Sequence, residues 1–129
     1  IMNINNIDLN NGFKMIEASA GTGKTFTLCH LALRKIIEDN INPENILIIT
    51  YTRKAAEELR EKIIERFNLF KNYINNNELE EIDETLINWY TKIDLNLKSN
   101  NSIISQIDTV LDNPKSINIF TIDSLFKKF

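Results

Sequence analysis

The chain has 129 residues, 43% of them hydrophobic and 26% charged, with a net charge of −3. This length predicts a single domain, and these fractions are those of an ordinary folded protein, which excludes intrinsic disorder as the default interpretation. The acidic balance excludes binding to nucleic acid through overall charge, so any contact with DNA requires a local site.

Several features of the sequence indicate the cellular compartment and the extent of the chain. The longest apolar runs fall far short of the ~18 residues of a membrane-spanning helix, and the first residues lack the pattern of a signal peptide. Cys29 is the single cysteine, so no internal disulfide can form, and we expect a reducing cytoplasm. Because the chain runs from Ile1 into a predicted helix at Phe129, we expect it to be a piece of a longer protein.

Predicted strands and helices alternate along the chain. Apolar runs of strand length cover residues 13–18, 46–49 and 117–121. Amphipathic helical patterns cover residues 25–38, 54–70, 79–97 and 102–111, and a last helix begins at residue 122. This order predicts an α/β fold in which helices flank a parallel sheet and the crossovers are right-handed. Residues 72–114 are too many for one crossover, so we predict a helical insertion there.

Periodicity also sorts the side chains of these helices. In the helix predicted over 54–70 it directs four polar side chains toward water, namely Glu57, Glu58, Arg60 and Glu61. Trp89 and Tyr90 lie on an apolar stripe, which favours core packing over stacking on a base. Cys29 and His30 are assigned to packing or solvent exposure, since no second thiol or imidazole exists for a metal site.

Eight residues after the first predicted strand match the phosphate-binding P-loop pattern, with Ala where the first Gly usually stands. They are Ala18, Ser19, Ala20, Gly21, Thr22, Gly23, Lys24 and Thr25. Consecutive backbone N–H groups in such a loop surround the phosphate oxygens, and the two glycines allow close approach. The Lys24 ammonium would bind the β and γ phosphates, and the Thr25 hydroxyl would ligate Mg²⁺. We therefore assign ATP binding to all eight residues and a catalytic role to Lys24 and Thr25.

Two further polar segments follow the other predicted strands. Residues 50–60 begin where the second strand ends, and residues 119–126 span the end of the third. Ligands of parallel sheets are handled at the carboxyl ends of the strands. We therefore expect these two segments to share one edge of the sheet with the P-loop.

The three segments together resemble the start of RecB-type and UvrD/Rep-type superfamily one DNA helicases. The resemblance covers residues 13–71 and 117–129. It implies a RecA-like P-loop NTPase fold, with residues 1–129 as the amino-terminal part of the first motor domain and 72–114 as a 1B-type insertion. It also implies ATP with Mg²⁺, single-stranded DNA, and other subunits of a helicase–nuclease complex in double-strand break repair and recombination.

The resemblance places contacts with the backbone of single-stranded DNA on Thr50, Thr52, Arg53 and Lys54, with Thr121 as a further candidate. Hydroxyl, guanidinium and ammonium groups at the start of a helix suit phosphate contacts. Alternatively, the two threonines of the first segment finish a strand and cap a helix, while the two cations are solvated.

Two departures from the family pattern matter. Asp123 stands where relatives carry a histidine, and an anion beside DNA phosphate is unfavourable, so this residue is alternatively a cap of the last helix. The glutamine segment that reads adenine in many relatives is absent, since Gln106 is the one glutamine, and preference for adenine rests on the resemblance.

Hydrolysis needs more than the P-loop. A second carboxylate for the Mg²⁺ shell, a group that orients water and arginines that stabilise charge are all required. No predicted strand is followed by paired acidic residues, so we expect the isolated chain to lack turnover. Two alternatives remain open, namely another P-loop phosphotransferase such as a small kinase, and a truncated module that binds nucleotide or DNA without catalysis.

Overall fold

A computed structural model of the chain describes residues 14–18, 23–76, 84–93 and 98–124, and describes the backbone alone for residues 14–18, 23 and 24. Three parallel strands form its sheet in the order β1 (Lys14–Ala18), β2 (Ile46–Thr50), β3 (Asn118–Thr121). The predicted α/β class with a parallel sheet is confirmed. All residues of β2 are buried, because the central strand of a covered parallel sheet meets protein on both faces.

The described ranges contain four α-helices. They are α1 (Gly23–Ile37), α2 (Arg53–Asn76), α3 (Glu84–Thr91) and α4 (Asn100–Asp112). The helix α2 continues beyond its predicted end at Phe70, because Tyr73 and Ile74 still pack against the core. The predicted helical stretch 79–97 is seen as α3, and its residues 79–83 and 94–97 lie outside the described ranges.

Aromatic side chains join α3 to α2. Phe70 is fully buried, with its ring centroid 5.3 Å from that of Trp89 and 5.4 Å from that of Tyr90. The indole Nε1 of Trp89 also donates a hydrogen bond of 3.0 Å to Oε1 of Glu38, just after α1. The predicted core packing of Trp89 and Tyr90 is confirmed.

A polar network holds the carboxyl end of α1. Asn40 adopts a left-handed conformation with φ of 56°, which asparagine tolerates better than most residues. The ammonium of Lys98 donates to the carbonyl of Ile37, to Oδ1 of Asn40 and to Oε1 of Gln106. Gln106 in turn donates to the carbonyl of Ile36 at 2.8 Å. A cation at this end of a helix is favourable, so the network ties Lys98 and α4 to α1.

The described ranges contain no helix that combines the length and the apolarity needed to cross a membrane.

Replacing Phe70 tests the aromatic contacts between α2 and α3. Phe70→Ala leaves a cavity in a fully buried site, and we expect it to lower the free energy of unfolding by about 3–5 kcal/mol. Phe70→Leu retains much of the apolar volume and should cost less than half as much. Urea denaturation followed by circular dichroism gives both values, and equal effects of the two variants would contradict this account.

The thiol of Cys29 offers a second test. Its side chain is 3% exposed, and burial raises the pKa of Cys29 from 9.0 to about 11 even though the nearby Arg66 opposes the shift. The fold therefore favours the neutral thiol, and this contribution to stability is present below about pH 9 and is lost as the pH rises toward 11. At pH 8 we expect a thiol reagent to label the folded chain at least about a hundredfold more slowly than the chain in denaturant. Glutathione serves as the reference thiol, and equal rates for folded and unfolded chain would refute the assignment.

Candidate functional site

Strand register brings the three polar segments to one edge of the sheet. Ala18 at the end of β1 pairs with Thr50 at the end of β2, and Thr50 pairs with Thr121 at the end of β3. The three strands thus end in line at the carboxyl edge. The expectation that the segments share one edge is confirmed.

The P-loop segment connects β1 to α1. β1 ends at Ala18 and α1 begins at Gly23, with Lys24 and the half-buried Thr25 as its next residues. Four predicted nucleotide-binding residues lie outside the described ranges, namely Ser19, Ala20, Gly21 and Thr22. A strand end followed by a four-residue connection and a helix of 15 residues is the context that the P-loop pattern requires. The positive end of α1 thereby faces the carboxyl edge, where phosphate would bind, so this backbone fits a nucleotide.

Thr50 is buried at the end of the central strand. It is 1% exposed, and its hydroxyl lies 3.1 Å from the carbonyl of Thr52 and 3.4 Å from the carbonyl of Phe120, to either of which it can donate. The side chain thus links the end of β2 to β3. This geometry matches the alternative in which Thr50 finishes the strand.

Thr52 begins α2. Its Oγ1 accepts a hydrogen bond of 3.0 Å from the backbone N–H of Ala55, and its carbonyl accepts one of 3.1 Å from that of Ala56. This is the geometry of a helix N-cap. The next two side chains, Arg53 and Lys54, are exposed beside the capped end.

An exposed aromatic residue was missed by the sequence predictions. Tyr51 is 57% exposed between Thr50 and Thr52, at the edge where the three segments meet. A large aromatic ring is seldom left this exposed, and it offers a flat face to a base. The signal in the sequence was an aromatic residue between two polar ones directly after a buried strand.

Thr121 caps the short helical segment that starts at residue 122. Its Oγ1 accepts a hydrogen bond of 3.1 Å from the backbone N–H of Ser124, and the two hydroxyls are 2.8 Å apart. Asp123 is exposed and lies inside the helix rather than at its cap position. The alternative in which Asp123 caps this helix is therefore wrong, because Thr121 takes that position. The predicted helix beyond residue 124 lies outside the described ranges.

A cleft of about 230 Å³ separates the start of α2 from the end of β3. Its walls carry both charged and apolar groups, from Arg53, Ala56, Glu57, Arg60, Ile119, Phe120, Thr121 and Ser124. The structure thereby brings together Arg53 and Thr121, which were predicted from separate segments. Arg60 and Ser124 are additions to the predicted set.

Arg60 is half-buried, so the expectation that it faces water is wrong. One terminal nitrogen, Nη1, donates to the carbonyl of Pro114 at 2.5 Å and to that of Ile117 at 3.1 Å. Burial lowers the pKa of Arg60 from its ordinary value. Helical periodicity alone places Arg60 on the solvent side, because the pattern within α2 does not reveal that the segment with Pro114 and Ile117 packs over it.

Near the first turns of α1, an arginine from α2 meets two rings. Arg66 is 6% exposed, its guanidinium lies 4.4 Å from the ring centroid of Phe26, and its Nη2 is 3.0 Å from Nδ1 of His30. The His30 ring also meets Trp89 edge-on at 5.7 Å, which agrees with the packing role predicted for His30. Within the described ranges no group of three or more histidine, cysteine, aspartate or glutamate side chains could hold a metal ion.

Comparisons with known proteins agree with this arrangement. The chain is 49% identical over 63 residues to the RecBCD enzyme subunit RecB of Haemophilus influenzae, a match covering 43% of this chain and 5% of that protein. It is 50% identical over 66 residues to the RecB subunit of Buchnera aphidicola, covering 45% of this chain and 6% of that protein. It is also 43% identical over 54 residues to a probable DNA helicase II homolog of Mycoplasma pneumoniae, covering 42% and 8% respectively.

A family model extends the similarity over nearly the whole chain. These relatives are much longer than the chain, which matches only 5%, 6% and 8% of their lengths. The model of the UvrD/REP helicase N-terminal domain, by contrast, matches residues 4–129. With the P-loop context and the two strand-end segments on one edge of a parallel sheet, the chain belongs to the UvrD/REP helicase N-terminal domain family.

Proposed function

We propose that this chain is the ATP-binding segment of an ATP-dependent DNA helicase and forms the amino-terminal part of a RecA-like motor domain. The observation that supports the proposal is the register of Ala18, Thr50 and Thr121, in which the residue that begins the P-loop pattern lies at the same edge as both candidate DNA segments. In a DNA helicase, ATP binding has to alter the contacts with DNA, which requires the nucleotide site and the DNA site to lie close together. Membership of the family supports the same conclusion.

In this proposal residues 18–25 hold the triphosphate of ATP. Backbone N–H groups of the loop and of the first turn of α1 would bind the phosphates, and Lys24 would add a positive charge for the β and γ oxygens. Thr25 provides a hydroxyl oxygen for Mg²⁺, a hard cation that prefers oxygen ligands. The metal would neutralise phosphate charge, while the chain's own groups orient the nucleotide.

The start of α2 is the proposed contact with single-stranded DNA. Arg53 and Lys54 are exposed cations beside a capped helix terminus, which suits phosphate oxygens. Tyr51 adds an exposed ring on which a base could stack. Thr52 and Thr121, which cap the two helix starts, are the proposed hydroxyl contacts at the same edge of the sheet. Thr50, whose hydroxyl is buried, contributes by fixing the end of β2 to β3.

The whole protein would act in double-strand break repair and recombination. Relatives with this sequence pattern are named as subunits of the RecBCD enzyme, so partner subunits are part of the proposal, with the cytoplasm as its location. Residues 72–114, which include α3 and α4, would be the 1B-type insertion. Because no predicted strand is followed by paired acidic residues, we expect the 129-residue chain alone not to turn over ATP.

Replacing Lys24 tests the nucleotide site. In the intact protein that contains this chain, Lys24→Ala removes a charge-assisted contact, and we expect at least about a tenfold loss of affinity for a fluorescent ATP analogue. Lys62→Ala is the matched control, because Lys62 is an exposed cation on α2 paired with Glu65 at 3.4 Å. Unchanged affinity of the Lys24 variant would refute the nucleotide site, and robust ATP turnover by the 129-residue chain alone would refute the expected lack of hydrolysis.

Salt dependence tests the DNA site. Each phosphate contact to single-stranded DNA contributes about 0.7 to the slope of log affinity against log salt, so the Arg53→Ala/Lys54→Ala double variant should lower it by about 1.4. Tyr51→Ala should weaken binding with little change in slope, because stacking releases no counterions. Fluorescence anisotropy with a labelled oligonucleotide measures both quantities, with Lys62→Ala again as control. A slope that stays the same in the double variant would show that these cations do not contact phosphate.

A further inference from the structure

Arg60 connects two parts of the fold that are far apart in sequence. It lies on α2, and its Nη1 donates to the carbonyls of Pro114 and Ile117 in the segment that leads into β3. Residues 77–117 separate α2 from β3 along the chain. A connection this long does not fix the position of α2 relative to β3, so tertiary contacts have to determine it.

Arg60 is chemically suited to hold this position. Taking a guanidinium out of water is unfavourable unless its N–H groups find acceptors, and here two carbonyls supply them. Because a guanidinium is planar and rigid, its bonds fix direction as well as distance. Lysine, with a flexible stem and a point charge, would hold the same segment less firmly.

Arg60 lies at one end of the cleft and the candidate DNA contacts lie at the other. α2 starts at Arg53, close to the carboxyl end of the strands, so Arg60 is seven residues or about 10 Å further along the helix. Its acceptors precede β3, whereas Thr121 ends that strand. Bonding at Arg60 therefore fixes how far α2 is shifted along β3, and with it the spacing between Arg53 and Thr121.

We propose that Arg60 is a positioning residue that sets the spacing between the α2 segment and the β3 segment, so that both meet the same strand of single-stranded DNA. The inference rests on the proposed DNA-binding function. It assigns to Arg60 no contact with DNA, and its effect is transmitted through Arg53 and Thr121.

A double-mutant cycle in the intact protein tests this inference. The variants are Arg60→Met, Arg53→Ala and their combination, with Lys62→Met as the control for loss of an exposed cation from the same helix. Anisotropy titrations at several salt concentrations give affinity for a labelled single-stranded oligonucleotide and its salt slope. Thermal melts, read by circular dichroism, report folding separately.

Coupling between the two arginines is the expected result. Arg53→Ala should weaken binding about fivefold in the parent protein but less than about twofold when Arg60 is already Met, because Arg53 is then misplaced. Arg60→Met alone should weaken binding about tenfold, and Arg60→Lys should give a smaller loss because one carbonyl bond can remain. If Arg60→Met fails to fold, Arg60→Lys takes its place in the cycle.

Three results would overturn the inference. If Arg60→Met lowers the melting temperature but leaves affinity and the Arg53→Ala effect unchanged, Arg60 acts on stability alone. If the two losses multiply independently and each lowers the salt slope, Arg60 touches phosphate itself. If the parent protein does not bind the oligonucleotide, or Arg53→Ala has no effect in it, the proposed DNA site fails first and the inference fails with it.

Discussion

In-register parallel pairing of three strands is the constraint on which the candidate site depends. Ala18, Thr50 and Thr121 form one row, so three segments separated by dozens of residues end at a common edge. A shift of one residue would turn each side chain of the central strand to the opposite face. Because all five residues of β2 are buried, such a shift would move every one of its side chains into different packing contacts.

Several partly or fully buried cations and hydroxyls in the described ranges are bonded to backbone carbonyls. The Thr50 hydroxyl can donate to the carbonyl of Thr52 or of Phe120, Arg60 bonds two carbonyls before β3, and Lys98 bonds one at the end of α1. Lys35 differs. The residue is 1% exposed, and its ammonium pairs with the carboxylate of Asp39 at 2.6 Å. Such bonds satisfy polar groups that burial would otherwise penalise. These hydrogen bonds also fix the relative orientation of helices and strands, which apolar packing alone does not specify because it is not directional.

The family relationship and the geometry support each other in different ways. Similarity to RecB subunits covers less than half of the chain, while the family model extends over residues 4–129. The structure adds that Trp89, Lys98 and Gln106 tie α3 and the start of α4 to the carboxyl end of α1. These contacts hold the two later helices against the first one.

The sequence by itself determined the class of fold, the phosphate-loop pattern and the order of strands and helices, because these depend on local periodicity and on neighbouring residues. Strand ends in the sequence located the two polar segments at the edge, and the family resemblance singled out Arg53, Lys54 and Thr121 within them.

Only the tertiary structure decided the rest. It buried the Thr50 hydroxyl, gave the cap to Thr121 instead of Asp123, and turned Arg60 from an expected solvent-facing charge into a bond to the segment before β3. The physical reason is that hydrogen bonds between distant segments depend on how helices and strands pack, and a local pattern contains no record of what will cover it.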